Sequence, residues 1–177
     1  MIGSATERVL IVDERNQPIG EAPRARMRAE GLVHRVTYVF VHDGEQRLFV
    51  HLRTADKDVF PSYYDAAAGG VLRVGESYGE SAAREAEEEL GIRDRILTPH
   101  LDVYYQDAHT RCWGRVYTCL YTGPFQFQPE EVVSGAFEPL AAVIEERIQP
   151  LTPDTLHALR ALLDSSDGML PGSEANC

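Results

Sequence analysis

Six glutamates crowd the stretch from Glu76 to Glu89 (Glu76, Glu80, Glu85, Glu87, Glu88 and Glu89), and Arg84 is the one basic residue among them. No proline interrupts Ser77 to Leu90, and Ala82, Ala83, Ala86 and Leu90 suit an amphipathic helix. Residues three and four apart share a helix face, so Glu85, Glu88 and Glu89 project together. Like charges at that spacing cost about 0.2–0.5 kcal/mol per pair. A hard divalent cation would offset the cost, since Mg²⁺ takes oxygen ligands and is commonly shared between carboxylates and substrate phosphates. The alternative is a solvated acidic face with no ligand at all.

Spacing separates the two readings. From Gly70 the chain runs G-x5-E-x7-R-E-A-x-E-E-x-G-I. This resembles the signature of the Nudix hydrolases, with Gly70, Glu76, Arg84, Glu85, Glu88, Glu89 and Gly91 at all seven fixed positions. Only Ala86 is small where that family carries a larger aliphatic residue. The resemblance implies a Mg²⁺ cofactor, with Mn²⁺ as a substitute, held by Glu85, Glu88, Glu89 and the Gly70 carbonyl. It implies Glu85, or a carboxylate from a later loop, as general base. Arg84 stands one turn from both Glu80 and Glu88, a spacing that predicts ion pairs orienting the carboxylates; its other role is a surface salt bridge worth under about 1 kcal/mol. Glu76 precedes the helix, either supporting the ligands from behind or complementing the helix dipole.

Asp107, Glu130 and Glu131 are the loop acids available beyond this box, and a solvated group is the default for each. Glu131, before Val132-Val133, resembles the D-E-V segment of some relatives. Outside the box the chain resembles the isopentenyl-diphosphate-isomerase-like branch of the superfamily, closest to its YfcD-type members. The residues are His34-Arg35, Leu48-Phe49-Val50, Arg53, Lys57, Phe60-Pro61 and the Ala66–Gly70 run. In the isomerases the positions matching Arg53 and Lys57 contact the substrate diphosphate, and that matching His34 binds metal. Alone, His34 reads as a hydrogen-bonded strand residue. Phe60, Tyr63, Tyr64 and Trp113 are aromatics that fit either a stacking surface or the core. The isomerases' catalytic pair is missing. The stretch before the box, Ala66-Ala67-Ala68-Gly69, lacks their Cys, Thr110-Arg111-Cys112 stands where they carry two acids, and Met27 replaces a metal histidine.

The elements that must carry these residues are mixed strands followed by helices. Strands are predicted at Arg8–Asp13, Pro18–Gly20, His34–His42, Arg47–Arg53, Ile96–Gln106, Cys112–Tyr121 and Gly135–Pro139. Helices are predicted at Ala22–Glu30, Ala141–Ile148 and from Thr152 onward, where Thr-Pro-Asp supplies cap, first-turn Pro and acid. His34–His42 is apolar on both faces, as a central strand requires. Such an order gives α/β or α+β, and the resemblance narrows it to an α/β/α sandwich around a mixed sheet. One domain over residues 1–165 is expected, its core at 34–165 preceded by a strand/helix extension, with 166–177 a mobile tail.

At 177 residues, 44% hydrophobic and 25% charged, the composition is that of an ordinary globular domain. A net charge of −11 argues against a nucleic-acid polymer as partner. No apolar run is long enough to cross a membrane, and Met1–Glu7 lacks signal-peptide regions. Cys112, Cys119 and Cys177 have no CxxC spacing, which suits reduced thiols in a cytoplasmic protein, and Cys112 and Cys119 on one strand would face opposite sides. The expected partner is a small diphosphate, with a homodimer allowed. Three functions compete: a Mg²⁺-dependent diphosphate hydrolase, an isopentenyl-diphosphate isomerase, and a non-catalytic nucleotide-sensing module.

Overall fold

The computed structural model describes residues 6–165. The expectation of a mobile tail at 166–177 therefore falls outside the described residues, as does Cys177. Eight strands form one mixed sheet, β1 (Arg8–Val12), β2 (Pro18–Pro23), β3 (His34–His42), β4 (Arg47–Arg53), β5 (Tyr64–Asp65), β6 (Thr98–Gln106), β7 (Arg111–Leu120) and β8 (Val132–Pro139). The helices are α1 (Arg24–Glu30), α2 (Tyr78–Leu90), α3 (Leu140–Ile144) and α4 (Pro153–Asp164).

β3 is the centre. It runs parallel to β7 through nine paired residues, from His34 opposite Cys112 to His42 opposite Leu120. Its side chains alternate between two cores. Val36, Tyr38 and Phe40 join Met27 of α1 and Ala158, Leu159 and Leu162 of α4 on one face. Val39 and Val41 join Ala82, Ala86 and Leu90 of α2 on the other. Helices thus cover both faces of a mixed sheet, an α+β sandwich. Cys112 and Cys119 fall into opposite cores, as their odd spacing requires.

The sheet is split where the site forms. β3 and β4 pair only at His42–Leu48, beside their hairpin, and then diverge, with β4 turning to β8. The small residues Ala66–Val71 fill the gap, bridging β3 at Val39–Ala68 and Val36–Val71. Side chains explain why the filler must be small. A Cβ on Gly69 would lie 1.9 Å from the Thr37 carbonyl oxygen, and one on Gly70 would lie 2.2 Å from Glu85 Oε1.

Several expected boundaries shift. β8 starts at Val132 rather than Gly135, because pairing with β4 extends the ladder to Arg53–Val132. Ala22 belongs to β2, opposite Val9, and Pro23 is the N-cap of α1 rather than part of its first turn. β6 begins at Thr98, leaving Ile96 outside the ladder and 86% exposed. β7 spans Arg111–Leu120, one residue earlier at both ends. α3 stops at Ile144, four residues before the expected Ile148. No helix among the described residues is long and apolar enough to cross a membrane.

Candidate active site

Helix α2 starts as its sequence dictates. Ser77 accepts from the Glu80 backbone N–H, and the Glu80 carboxylate returns to the Ser77 N–H, a reciprocal capping box. Glu80 is spent on that cap, which corrects the expected Arg84–Glu80 pair. Arg84 instead grips Glu76 twice, at 2.7 and 3.0 Å, and reaches Glu85 at 2.6 Å and Glu88 at 3.4 Å. Glu76 Oε2 also accepts from the Arg73 backbone N–H. Glu76 is therefore the anchor that aims Arg84 at the helix carboxylates. Burial alone would lower the Arg84 pKa, but the Glu76 and Glu85 carboxylates hold it further up.

One turn on, Glu89 is 1% exposed. It accepts from the Gly69 N–H at 3.3 Å and from Lys57 Nζ at 3.5 Å, with His51 Nε2 at 4.0 Å. Lys57 donates at 2.6 Å to Glu131, which arrives from the loop before β8 and is 6% exposed. Glu131 is thus no solvated loop acid. Glu130 is exposed, and Asp107 caps the β6–β7 turn by accepting from the His109 and Thr110 N–H groups. Of the three loop acids, Glu131 alone sits beside the box residues.

Burial pushes Glu85 up and Glu89 well up from the ordinary carboxylate range. Glu131 also pays for burial, yet Lys57 and a hydrogen bond from Glu89 bring it below that range. Burial lowers His51 to about 4, so it stands neutral beside Glu89. Four carboxylates, Glu85, Glu88, Glu89 and Glu131, thus face two cations, Arg84 and Lys57. This oxygen-only donor set fits a hard divalent ion, which would favour the ionised form of the carboxyls that burial holds up. As the side chains stand, no three His, Cys, Asp or Glu groups among the described residues gather about one point. The acids are turned to Arg84 and Lys57, so an ion would have to displace those cations. The Gly70 carbonyl accepts from the Thr37 N–H at 3.0 Å and retains a second lone pair.

Behind this array opens a cleft of about 100 Å³. Glu85, Glu131, Gly69, Gly70 and Lys57 line one end. Arg24 and Arg28 of α1, clamped through Asp58 at 3.2 Å, form a side wall together with Phe60. Arg53 also lines the cleft, but its guanidinium holds the following loop, donating to Phe60 O and Val59 O, and to Asp65 Oδ2 beyond it. Tyr63 packs on Phe60, whereas Trp113 packs against Tyr104, and neither lines the cleft. Tyr64 belongs to β5.

The same cleft is lined by His34, Tyr38, Cys112, Thr152 and Asp154. His34 Nδ1 is 3.0 Å from the Leu32 carbonyl, and burial, with Arg28 nearby, lowers the ring to about 3. Burial, reinforced by Asp65, raises Asp154 to about 6. A thiol does enter the cavity, though from β7 rather than from the stretch before the box, and burial pushes Cys112 up to about 12. Asp58, Tyr38, His51 and Asp154 escaped the sequence reading. Asp154 was legible only as a first-turn acid, and no motif marks the other three: Tyr38 comes from β3, His51 from β4 and Asp58 from the 54–63 loop, and only the fold brings them to the site.

Residues 32–162 match the NUDIX domain family. The chain belongs to the Nudix hydrolases. A Nudix hydrolase of Pseudomonas aeruginosa, PA4841, is 41% identical over 92% of this chain and 96% of its own length. Escherichia coli YfcD, also named a Nudix hydrolase, is 44% identical over 88% of this chain and 86% of its own. Both names carry the word uncharacterized and no substrate. The crystal structure of DR0079 from Deinococcus radiodurans superposes with a TM-score of 0.74 at 26% identity, covering 88% of this chain and 98% of that one. As a Nudix hydrolase the chain acts on acid anhydrides in phosphorus-containing compounds, in a family that generally uses a divalent metal.

Proposed function

We propose that this Nudix hydrolase uses Mg²⁺, replaceable by Mn²⁺, to cleave the diphosphate bond of a nucleoside-diphosphate derivative or a related small molecule. The supporting observation is the array of Glu85, Glu88, Glu89 and Glu131, ion-paired with Arg84 and Lys57 beside a cleft. A bound divalent ion neutralises phosphate charge and acidifies a water. The protein's part is to hold the ligands and the diphosphate. Glu85, Glu88, Glu89 and the Gly70 carbonyl are the ligand set, and Arg84 orients Glu85 and Glu88. Lys57, once displaced from Glu89 and Glu131, is a cation available to phosphate oxygens, whereas the Arg53 guanidinium is spent on Val59, Phe60 and Asp65 and serves to hold the loop that carries Lys57. Glu85 or Glu131 takes the proton from the attacking water, a role typically worth about 10²–10⁴-fold.

The test is a panel of diphosphate compounds incubated with Mg²⁺ or Mn²⁺, read by released phosphate and product mass. Reaction in ¹⁸O-labelled water should place the label in a phosphate-bearing product. Binding without turnover, with either ion and across the panel, would favour the nucleotide-sensing module instead.

A further inference from the structure

Part of the cleft lining has a chemical character that diphosphate cleavage does not use. Thr152 is the N-cap of α4, the position where a threonine hydroxyl normally accepts from the first turn. Here it makes no cap bond. The residue is 1% exposed, its Oγ1 has no partner within the protein, and it lines the cleft. His34, also 1% exposed, repeats the pattern on the opposite element. A carbonyl cannot donate, so the contact with Leu32 puts the ring proton on Nδ1 and leaves Nε2 a bare acceptor without a partner. Asp154 Oδ2 accepts from the Tyr38 hydroxyl at 3.1 Å, while its buried Oδ1 is unpartnered. Tyr38 also lies 3.6 Å from Cys112 Sγ, and Cys112 is the ladder partner of His34. β3, β7 and α4 therefore place these groups around one pocket.

Each buried polar atom left without a partner carries a desolvation cost, and these three, lining one cleft from two elements, are a poor way to build a core. They are a good way to build a recognition surface. Two of the three are acceptors and the third is a hydroxyl, so the complementary ligand presents O–H or N–H donors. An alkyl chain would bury the same atoms and satisfy none. Arg28 close to His34 disfavours a cationic ligand there. Resting on the hydrolase reading above, we propose that His34, Thr152 and Asp154 form a specificity pocket for a hydroxyl- or amino-bearing group attached to the diphosphate. Sites built to hydrogen-bond a ligand group discriminate strongly against analogues lacking it.

Calorimetry on the full chain with Mg²⁺ tests the pocket without requiring turnover. The probes are methylenediphosphonate, the methylene analogue of isopentenyl diphosphate, α,β-methylene-ADP and its 2′,3′-dideoxy form. Wild-type protein should bind α,β-methylene-ADP about tenfold or more tighter than either of the first two. In Thr152→Val and, separately, Asp154→Asn, that ratio should collapse to about threefold or less through the nucleotide arm. Thr152→Val removes no cap bond, so its Tm should not fall. If the dideoxy probe loses the preference, ribose hydroxyls occupy the pocket; if it keeps it, the amino edge of the base does. An alkyl analogue binding as tightly as the nucleotide, or a ratio unmoved by both variants, overturns the proposal. Parallel turnover of ADP and ADP-ribose separates the two readings. Preference without hydrolysis sinks the hydrolase assignment alone, and hydrolysis without preference sinks the pocket alone.

Discussion

Glu89 has the most buried carboxylate of the array, held among the Gly69 N–H, Lys57 and His51. Glu89→Gln keeps the shape and removes the charge. It should weaken Mg²⁺ binding and lower kcat by about 10²-fold or more, while the far-UV helical signal stays intact. Unchanged calorimetric metal affinity together with full activity would remove the box from the mechanism. His34 gives a separate prediction, on stability. Burial lowers it to about 3 in the fold, against an ordinary value of 6.5. Above pH 6.5 the ring is neutral in both folded and unfolded chains and costs nothing. As pH falls through 6.5 toward 3, the unfolded chain takes up a proton that the fold refuses, so stability is lost. The loss is about 2–3 kcal/mol by pH 4.5. His34→Gln should flatten this part of the pH profile. Urea midpoints at pH 7.5 and 4.5 check it, and equal acid losses in both proteins would contradict it.

Among the elements, the Ala66–Val71 segment filling the split between β3 and β4 is the one on which position and chemistry both depend. Its two glycines fail differently when given a side chain. At Gly69 the added Cβ meets the Thr37 backbone, 1.9 Å away, which cannot yield without breaking the bridge to β3. Gly69→Ala should therefore destabilise by roughly 1–3 kcal/mol. At Gly70 it meets the tip of Glu85, and a side chain can swing away. Gly70→Ala should keep Tm within a few degrees yet cut activity about tenfold or more, because Glu85 is pushed off its place. Thermal melts and turnover on the same samples decide it; the reverse ranking would show that Gly70 serves packing rather than the carboxylate.

Taking the whole molecule, the isomerase resemblance makes a prediction of its own. Isomerisation needs a proton donor and an acceptor on opposite faces of a carbon–carbon double bond. The thiol in this cleft, Cys112, is 3.6 Å from Tyr38, which in turn bonds Asp154 at 3.1 Å, so these groups are fastened together on one wall. Incubation with isopentenyl diphosphate and Mg²⁺ in deuterated water should yield no dimethylallyl diphosphate at enzymatic rates. Deuterated product would move the function to isoprenoid chemistry.

What the chain determined by itself was local chemistry. Seven spaced letters gave the family, because a helix fixes which carboxylates share a face and Ser77–Glu80 fixes where that helix begins. β3 was legible because a strand buried on both faces must be apolar throughout. Tertiary structure decided what distant segments do to one another. Sequence spacing offered Glu80 as a partner for Arg84, and the capping box and Glu76 took that choice away. Glu131 became a site residue only when the loop before β8 brought it to Lys57, 74 positions away in the chain. Arg53 turned inward to hold its own loop. Asp154 changed from a first-turn acid to a wall of the cleft, because α4 packs over β6 and β7 and Tyr38 of β3 reaches it across 116 positions. Contacts of that range depend on how the sheet splits and which face each helix covers, and no periodicity within one element encodes them.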